Sequence, residues 1–447
     1  MPRWTVHNLD EYCMPLGTTV HLLAQWLSSS RPPSSPGRKG NTSLLLTPLP
    51  VSIALPQDRS AIRDMGRIAA LLAACAVAIG YFFHLNQAQS SAAAVGKSTM
   101  RAVHHAEYGA VSDVLRMSDM PVPTYRSWEV VVEVNDASIN PVDYKIIQGA
   151  FFLIDFLLPH RPGFDFSGIV RAVGKDCARI RVGDVVHGMA WVHKTGSLAE
   201  YLAVDESVIN VVPEGMSSQE AAAMPLVAHT SFSSLVTVGG LRRGSHQKVL
   251  VLGGSSATGM MALQISKAYG AASVVTTCSP HNEALVKSLG ADKALNYRDQ
   301  DIFERMRATG TSFDIIYDTV GAGLSVWEGA ASGVLAPGGQ FVTITGDVQR
   351  TLDLQDLLTR GYQIVTRKLY CLLALGGAGY HQYTQPGGNA AELAVLDRLV
   401  EEGALKAVVD RSYEFSLEQI QSRGRTHSFA YLQAGHARGK VVVRVRG

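Results

Sequence analysis

The residues best placed to do chemistry stand at the end of one apolar run. Lys248-Val249-Leu250-Val251-Leu252 reads as a strand buried on both faces, and it delivers the chain into Gly253-Gly254-Ser255-Ser256-Ala257-Thr258-Gly259. A helical stretch, Met260 to Tyr269, follows and Gly270 ends it. A glycine turn between a strand and a helix is an anion site. Backbone N–H groups and the positive helix end face outward, and a missing Cβ lets a phosphate approach closely. Gly253, Ser255, Ser256, Ala257, Thr258 and Gly259 are therefore candidates to hold a pyrophosphate. The spacing is Gly-x-x-Ser-x-x-Gly, with serine in the middle. Its hydroxyl offers a phosphate contact, but a positive φ at that position would strain it. A glycine-rich turn alone is often merely structural, so context decides.

The context is alternation. Ser273 to Cys278 reads as a second strand, Asn282 to Leu289 as a helix closed by Gly290, and Lys293 to Tyr297, Phe313 to Asp318 and Gln340 to Thr345 as further strands. That pattern predicts an α/β fold with a doubly wound parallel sheet of the Rossmann type, and a dinucleotide as its ligand. An NAD site normally carries an acid at the end of the second strand, roughly 20 residues past the glycines. Here the segment is Thr277-Cys278-Ser279-Pro280-His281. No carboxylate there would repel a 2′-phosphate, Ser279 can donate to it, and Lys287 lies one or two helical turns on. These residues predict NADP(H). The competing reading of Lys287 is a solvated helix face.

A second group of polar residues precedes the sheet. Val130 to Val134 reads as a strand leading into Ala137-Ser138-Ile139-Asn140-Pro141-Val142-Asp143-Tyr144-Lys145. Pro162-Gly163-Phe164-Asp165-Phe166-Ser167-Gly168-Ile169-Val170 follows, then Val182-Gly183-Asp184-Val185-Val186 and Gly196-Ser197-Leu198-Ala199-Glu200-Tyr201. Short strands between Gly, Pro and Asp turns predict a small β-barrel.

In the order and spacing of these segments the chain resembles the zinc-independent quinone oxidoreductase, or enoyl (alkenal) reductase-like, branch of the medium-chain dehydrogenases/reductases. The likeness runs from about Met100 to the C-terminus. It implies a GroES-like barrel as the catalytic domain beside the Rossmann domain, and hydride transfer from NADPH to a quinone, enone or alkenal. The zinc-dependent relatives use a cysteine where this chain has Asn140 and a histidine where it has Phe164. Neither replacement supplies a thiolate or imidazole, and Asp165 alone is not a metal site. No metal residue is therefore expected.

The resemblance also implies roles. Asn140, Tyr144 and Lys145 belong to the active-site wall: Asn140 to bond the nicotinamide ribose or the substrate, Lys145 as electrophile or ribose contact, Tyr144 as proton donor. Without a metal, such donors must stabilise the charge that builds on the acceptor oxygen. Asp143 reads as a turn carboxylate that fixes this loop. Thr230 matches a position near the nicotinamide amide, and its neighbour His229 reads as packed or exposed rather than catalytic. Ser279 and Tyr297 match residues lining the 2′-phosphate. Asp318, at the end of Tyr317-Asp318-Thr319-Val320-Gly321, matches a cofactor contact, with a turn carboxylate as the equal alternative.

The rest of the chain sets limits. A net charge of +2 with no basic block argues against nucleic acid as a partner. The five cysteines are scattered and never form CxxC, which excludes both a disulfide framework and a zinc lobe. Residues 1–64, with their Ser28-to-Gly37 turn formers, read as a flexible extension. Ile68 to Phe83 is an uncharged apolar run. As a helix it would be about 24 Å long against a hydrocarbon core of roughly 30 Å. It reads as a short membrane anchor or a signal starting at Met65, with a buried helix as the plain alternative. Free thiols and NADPH suit a reducing compartment, so an anchor with an exposed enzyme is preferred, the organelle unassigned.

The expected organisation is residues 65–99 as anchor and linker, 100–228 as catalytic domain completed by 372–447, and 229–371 as nucleotide domain. Near the C-terminus Ala390 to Glu402 reads as a helix. Residues 365–375 are apolar and suit an edge used in a homodimer, or a wall of the substrate cleft. A membrane-tethered NADPH reductase is the leading reading. An NADPH-binding interaction protein with little turnover is its rival.

Overall fold

The computed structural model describes residues 96–149, 158–191, 196–299, 302–321, 324–345, 354–385, 387–421, 427–435 and 437–446. The extension 1–64 and the apolar run 68–83, where an N-terminal hydrophobic helix is expected, lie outside the described residues. Among the described residues no helix is long and apolar enough to cross a membrane.

Strands β1 (Thr99–His104) and β2 (Arg116–Pro121) pair antiparallel. Strand β3 (Glu129–Ile139) runs its valines through the barrel core and ends at Asn140, where Pro141 opens helix α1 (Pro141–Ile147). Then come β4 (Asp165–Val173), β5 (Val185–Met189), β6 (Tyr201–Asp205) and β7 (Ile209–Val211), followed by α2 (Ser218–Ala223) and α3 (Pro225–Phe232). The alternating half holds β8 (Lys248–Leu252), α4 (Ala257–Ala268), β9 (Ser273–Cys278), α5 (Glu283–Ser288), β10 (Lys293–Asn296), β11 (Phe313–Asp318) and β12 (Leu335–Thr343). It continues through α6 (Leu354–Ala374), β13 (Gly379–Gln382) and α7 (Ala390–Glu401), and β14 (Val409–Glu414) and β15 (Lys440–Arg444) return to the barrel.

Two sheets result. One has the order β14-β15-β3-β4-β5-β7, with β6 also on β3, and is mostly antiparallel. The other has the order β10-β9-β8-β11-β12-β13 and is parallel throughout. Both faces of the second are covered. Val249, Val251, Ile315 and Tyr317 pack into one apolar cluster, and Leu250, Leu252, Ile316 and Phe341 into another. The order reverses between β8 and β11, so the glycine turn after β8 and the turn after β11 open side by side at the switch point.

Residues 365–374 lie in α6, and β13 forms the edge of the parallel sheet. One expectation changes. A division at 371/372 cuts this helix, and β13 pairs with β12 instead of completing the barrel.

Candidate active site

The glycine turn is built to admit a phosphate chain. A Cβ on Gly254 would stand 2.0 Å from Thr276 Oγ1, and one on Gly259 would stand 2.2 Å from the Gly253 carbonyl oxygen. Gly253 takes φ +85°. Its N–H and that of Gly254 bond Thr277, which ties the turn to the end of β9. Ser255, Ser256, Ala257 and Thr258 are partly exposed along the open rim. The first amides of α4 have no intrahelical acceptor, and of these Gly259 N is taken by the Ser256 hydroxyl.

Ser256 corrects one sequence expectation. Its φ is −71°, so no strain arises, and it is the N-cap of α4. Its hydroxyl accepts from Gly259 N at 2.9 Å and lies 3.0 Å from Thr319 Oγ1, which itself donates to Leu252 O at 2.8 Å. That hydroxyl holds the turn's shape. The middle glycine is dispensable because the position never needs a positive φ.

The 2′-phosphate corner assembles in part. Strands β9 and β10 end together, with Cα register Cys278 to Asn296, so Ser279 and Tyr297 emerge side by side. Ser279 makes no capping bond with its side chain, and Tyr297 is 56% exposed, so both can reach a ligand. Lys287 is held instead by Glu283, one helical turn back, at 2.8 Å. The sequence reading passed over Arg298, whose guanidinium lies 5.6 Å from the Tyr297 ring centre. A basic residue directly after the matched tyrosine was the available signal. No acid stands at the end of β9. Together with the glycine cradle, these residues fit NADP(H).

Asp318 goes to the turn reading. Its Oδ1 accepts from Val320 N and Gly321 N at 3.1 and 2.9 Å, and its Oδ2 from Thr343 Oγ1 at 2.9 Å. These bonds fix the turn after β11. His229 is fully buried with Nδ1 2.8 Å from Glu392 Oε1, a packing role. Thr230 lies on α3, its hydroxyl donating to Leu226 O at 2.7 Å.

The barrel contributes a buried polar hub. Asp165 is fully buried. Its Oδ2 accepts from Lys440 Nζ at 2.8 Å, Asn140 Nδ2 at 2.9 Å and Ser138 Oγ at 3.1 Å. Its Oδ1 accepts from Leu226 N at 2.7 Å, at the start of α3. Lys440 also donates to Asn140 Oδ1. Phe164 sits in a small apolar cluster with Ile146 and Met189. Among the described residues no cluster of His, Cys, Asp and Glu could hold a metal ion. Lys440 was not foreseen: a single lysine opening an apolar strand carries no sign of a partner 275 residues away.

Asp143 anchors the same loop. It accepts from Asn140 N and Gly163 N, both at 2.6 Å, as a turn carboxylate would. Burial outweighs these donors and pushes its carboxyl up to about 7. Tyr144 and Lys145 are partly buried on α1, and burial raises the Tyr144 phenol. A chain of bonds joins the two halves. Asn140 reaches α3 through Asp165, and on α3 the Ser231 hydroxyl donates to Thr258 O at 2.8 Å, in the glycine-turn helix.

A buried polar hub in the barrel, bonded to a parallel sheet with a glycine turn, fits the class of two-domain nucleotide-dependent dehydrogenases. Residues 126–214 match the alcohol dehydrogenase GroES-like domain family, and 289–443 the zinc-binding dehydrogenase family. The chain is 33% identical over 371 residues to a 2-methylene-furan-3-one reductase of Solanum lycopersicum, covering 80% of this chain and 84% of the relative. It is 30% identical over 370 residues to an NADPH-dependent alkenal/one oxidoreductase, chloroplastic, of Arabidopsis thaliana, covering 79% and 84%. The quinone oxidoreductase from Coxiella burnetii superposes with a TM-score of 0.64 at 28% identity, over 78% of this chain and all of that one. The chain belongs to the medium-chain dehydrogenase/reductase superfamily, and its relatives there include quinone and alkenal oxidoreductases.

Proposed function

We propose that this protein is an NADPH-dependent reductase of quinones or α,β-unsaturated carbonyls that works without zinc. The observation that carries the proposal is the bonded path from the glycine turn to Asn140, ending at a lysine–aspartate pair with no metal cluster among the described residues. The printed activities of the tomato and Arabidopsis relatives support the same reading.

Bound NADPH supplies the hydride. Gly253, Ser255, Ala257, Thr258 and Gly259 would hold its pyrophosphate, with Ser256 keeping the turn in shape. Ser279, Tyr297 and Arg298 would take the 2′-phosphate, Lys287 joining only by leaving Glu283. Thr230 would face the nicotinamide amide. On the substrate side, Asn140 donates to an oxygen that gains negative charge, in a site where such a donor acts at low dielectric. The Tyr144 phenol is protonated at neutral pH, as a proton donor requires, and burial raises it further. Lys145 adds a positive charge on the same helix.

The finer placements are proposals of the same kind. The run 68–83 would attach the protein to a membrane, supported by its composition alone, and the chloroplast relative favours an organelle. A homodimer is supported by the exposed apolar residues Tyr362, Val365, Leu369 and Leu373 on α6.

Purified protein is mixed with NADPH and a panel of quinones and alkenals while the nicotinamide absorbance is followed. The reductase reading expects acceptor-dependent loss of that band. Tight NADPH binding with no oxidation by any acceptor would leave an interaction protein instead.

A further inference from the structure

We propose that Lys440 and Asp165 are positioning residues that fix which way the Asn140 amide faces, so that Asn140 meets a bound molecule as a donor. The inference rests on the reductase reading above. An ammonium only donates, and a carboxylate only accepts. Lys440 donates to Asn140 Oδ1, and Asn140 Nδ2 donates to Asp165 Oδ2 at 2.9 Å. Turning the amide over would set its NH2 against the ammonium and its oxygen against the carboxylate. Asn140, Asp165 and Lys440 are 2%, 0% and 3% exposed, so both mismatches would be buried and costly. The chemistry of the neighbours therefore dictates the orientation.

The consequence reaches the ligand. One Nδ2 hydrogen goes to Asp165 and the second is left over. Because Oδ1 faces a cation, that remaining N–H is polarised into a stronger donor. An oxygen gaining negative charge during hydride transfer is the acceptor it suits. Asp165 also accepts from Leu226 N, so the same pair sets the barrel loop against α3, which carries Thr230. A buried ion pair alone is weak evidence of a stabilising role, since apolar replacements of both partners are often as stable. Its use here is orientation.

The test compares the full chain with N140A, K440M, K440M/D165L and K440M/D165L/N140A. Melting temperature, NADPH affinity by nicotinamide fluorescence, and kcat with an alkenal are measured on each. K440M strands the Asp165 charge and melts lower; K440M/D165L, with both charges gone, recovers part of that loss, while Leu226 N and Ser138 Oγ still lack their acceptor. NADPH affinity stays within about threefold, yet kcat of the double variant falls about 100-fold, as one preorganised donor is worth. N140A falls equally far, and the triple variant loses no more than about twofold beyond the double, because all three act through one N–H.

A folded double variant that keeps kcat within about twofold overturns the proposal, as does a triple variant whose losses multiply. Should the double variant melt far below the parent, K440R and N140D decide. K440R keeps a donor cation and is expected to hold kcat within about fivefold, whereas N140D replaces the donor by an acceptor and falls about 100-fold. K440R as inactive as N140D, or N140D as active as the parent, overturns the proposal. A parent that binds NADPH but reduces no acceptor fails the reductase reading instead, before any variant is compared.

Discussion

Asp143 carries a proton cost that a surface carboxylate does not. It is 1% exposed, and burial lifts its carboxyl from the usual range near 4 to about 7. Between about pH 4 and pH 7 the folded chain therefore holds a proton that the unfolded chain has released, so this group's contribution to stability falls as pH rises through that window. The difference in urea midpoint between pH 5 and pH 7 is expected to shrink in Asp143→Asn; an unchanged difference would contradict the assignment. Arg298 predicts a cofactor effect. R298A should weaken NADPH binding about tenfold and leave NADH unchanged, as loss of one charge-assisted phosphate contact would. K287A should matter less, because Glu283 already engages that lysine. Fluorescence titration of both cofactors checks both variants.

At this scale the sequence was uneven. Asp143 was expected as a turn carboxylate, and it makes the bonds of one, to Asn140 N and Gly163 N. Lys287 was left between a phosphate contact and a solvated helix face, and Glu283, four residues earlier, engages it on that face. The Lys440–Asp165 pair was out of reach, because no local pattern brings together residues on separate strands so far apart in sequence.

The glycine turn works as an element, strand to helix, more than as a set of side chains. Ser256 ends the turn and caps α4. Ser256→Ala is expected to cost about 1 kcal/mol, read from the urea midpoint. Gly259→Ala should do more, since its Cβ would meet backbone: the Gly253 carbonyl oxygen at 2.2 Å and Gly254 Cα at 2.8 Å. Overpacking of this kind costs about 1–3 kcal/mol, and the displaced turn should also weaken NADPH binding at least about tenfold. A G259A variant that binds NADPH like the parent would remove the turn from the cofactor site.

Strand β8 was readable because burial on both faces leaves an unbroken apolar run, and β11 because Ile315-Ile316-Tyr317 survive between two aspartates. Helix α4 begins three residues earlier than its apolar pattern suggested. The cap lies in Ser256, which looked like a defective glycine. Residues 365–375 suited an edge for a homodimer by apolarity alone. Their period is helical, and apolar residues at 362, 365, 369 and 373 line one exposed stripe.

Across the whole molecule, helix α7 ties the two sheets. Asp397 accepts from Asn210 Nδ2 at 3.0 Å, beside β5 and β7, and its Oδ1 lies 3.1 Å from Nε2 of the buried His187. Five residues earlier, Glu392 accepts from Ser233 Oγ at 2.9 Å and faces His229 behind the nucleotide sheet. Glu392→Ala leaves two buried polar groups without this partner and is expected to cost about 2 kcal/mol, measured by denaturant unfolding. An unfolding midpoint equal to the parent's would show that α7 holds by its apolar face alone.

The most direct test of the central claim follows the hydride itself. The protein is dialysed against a strong chelator and given an enone with NADPH deuterated at the transferring C4 position, and the product is read by mass spectrometry. One deuterium at the carbon β to the carbonyl, formed at a rate the chelator leaves unchanged, is the predicted result. Product without deuterium, or activity that disappears with chelation and returns with zinc, would contradict it.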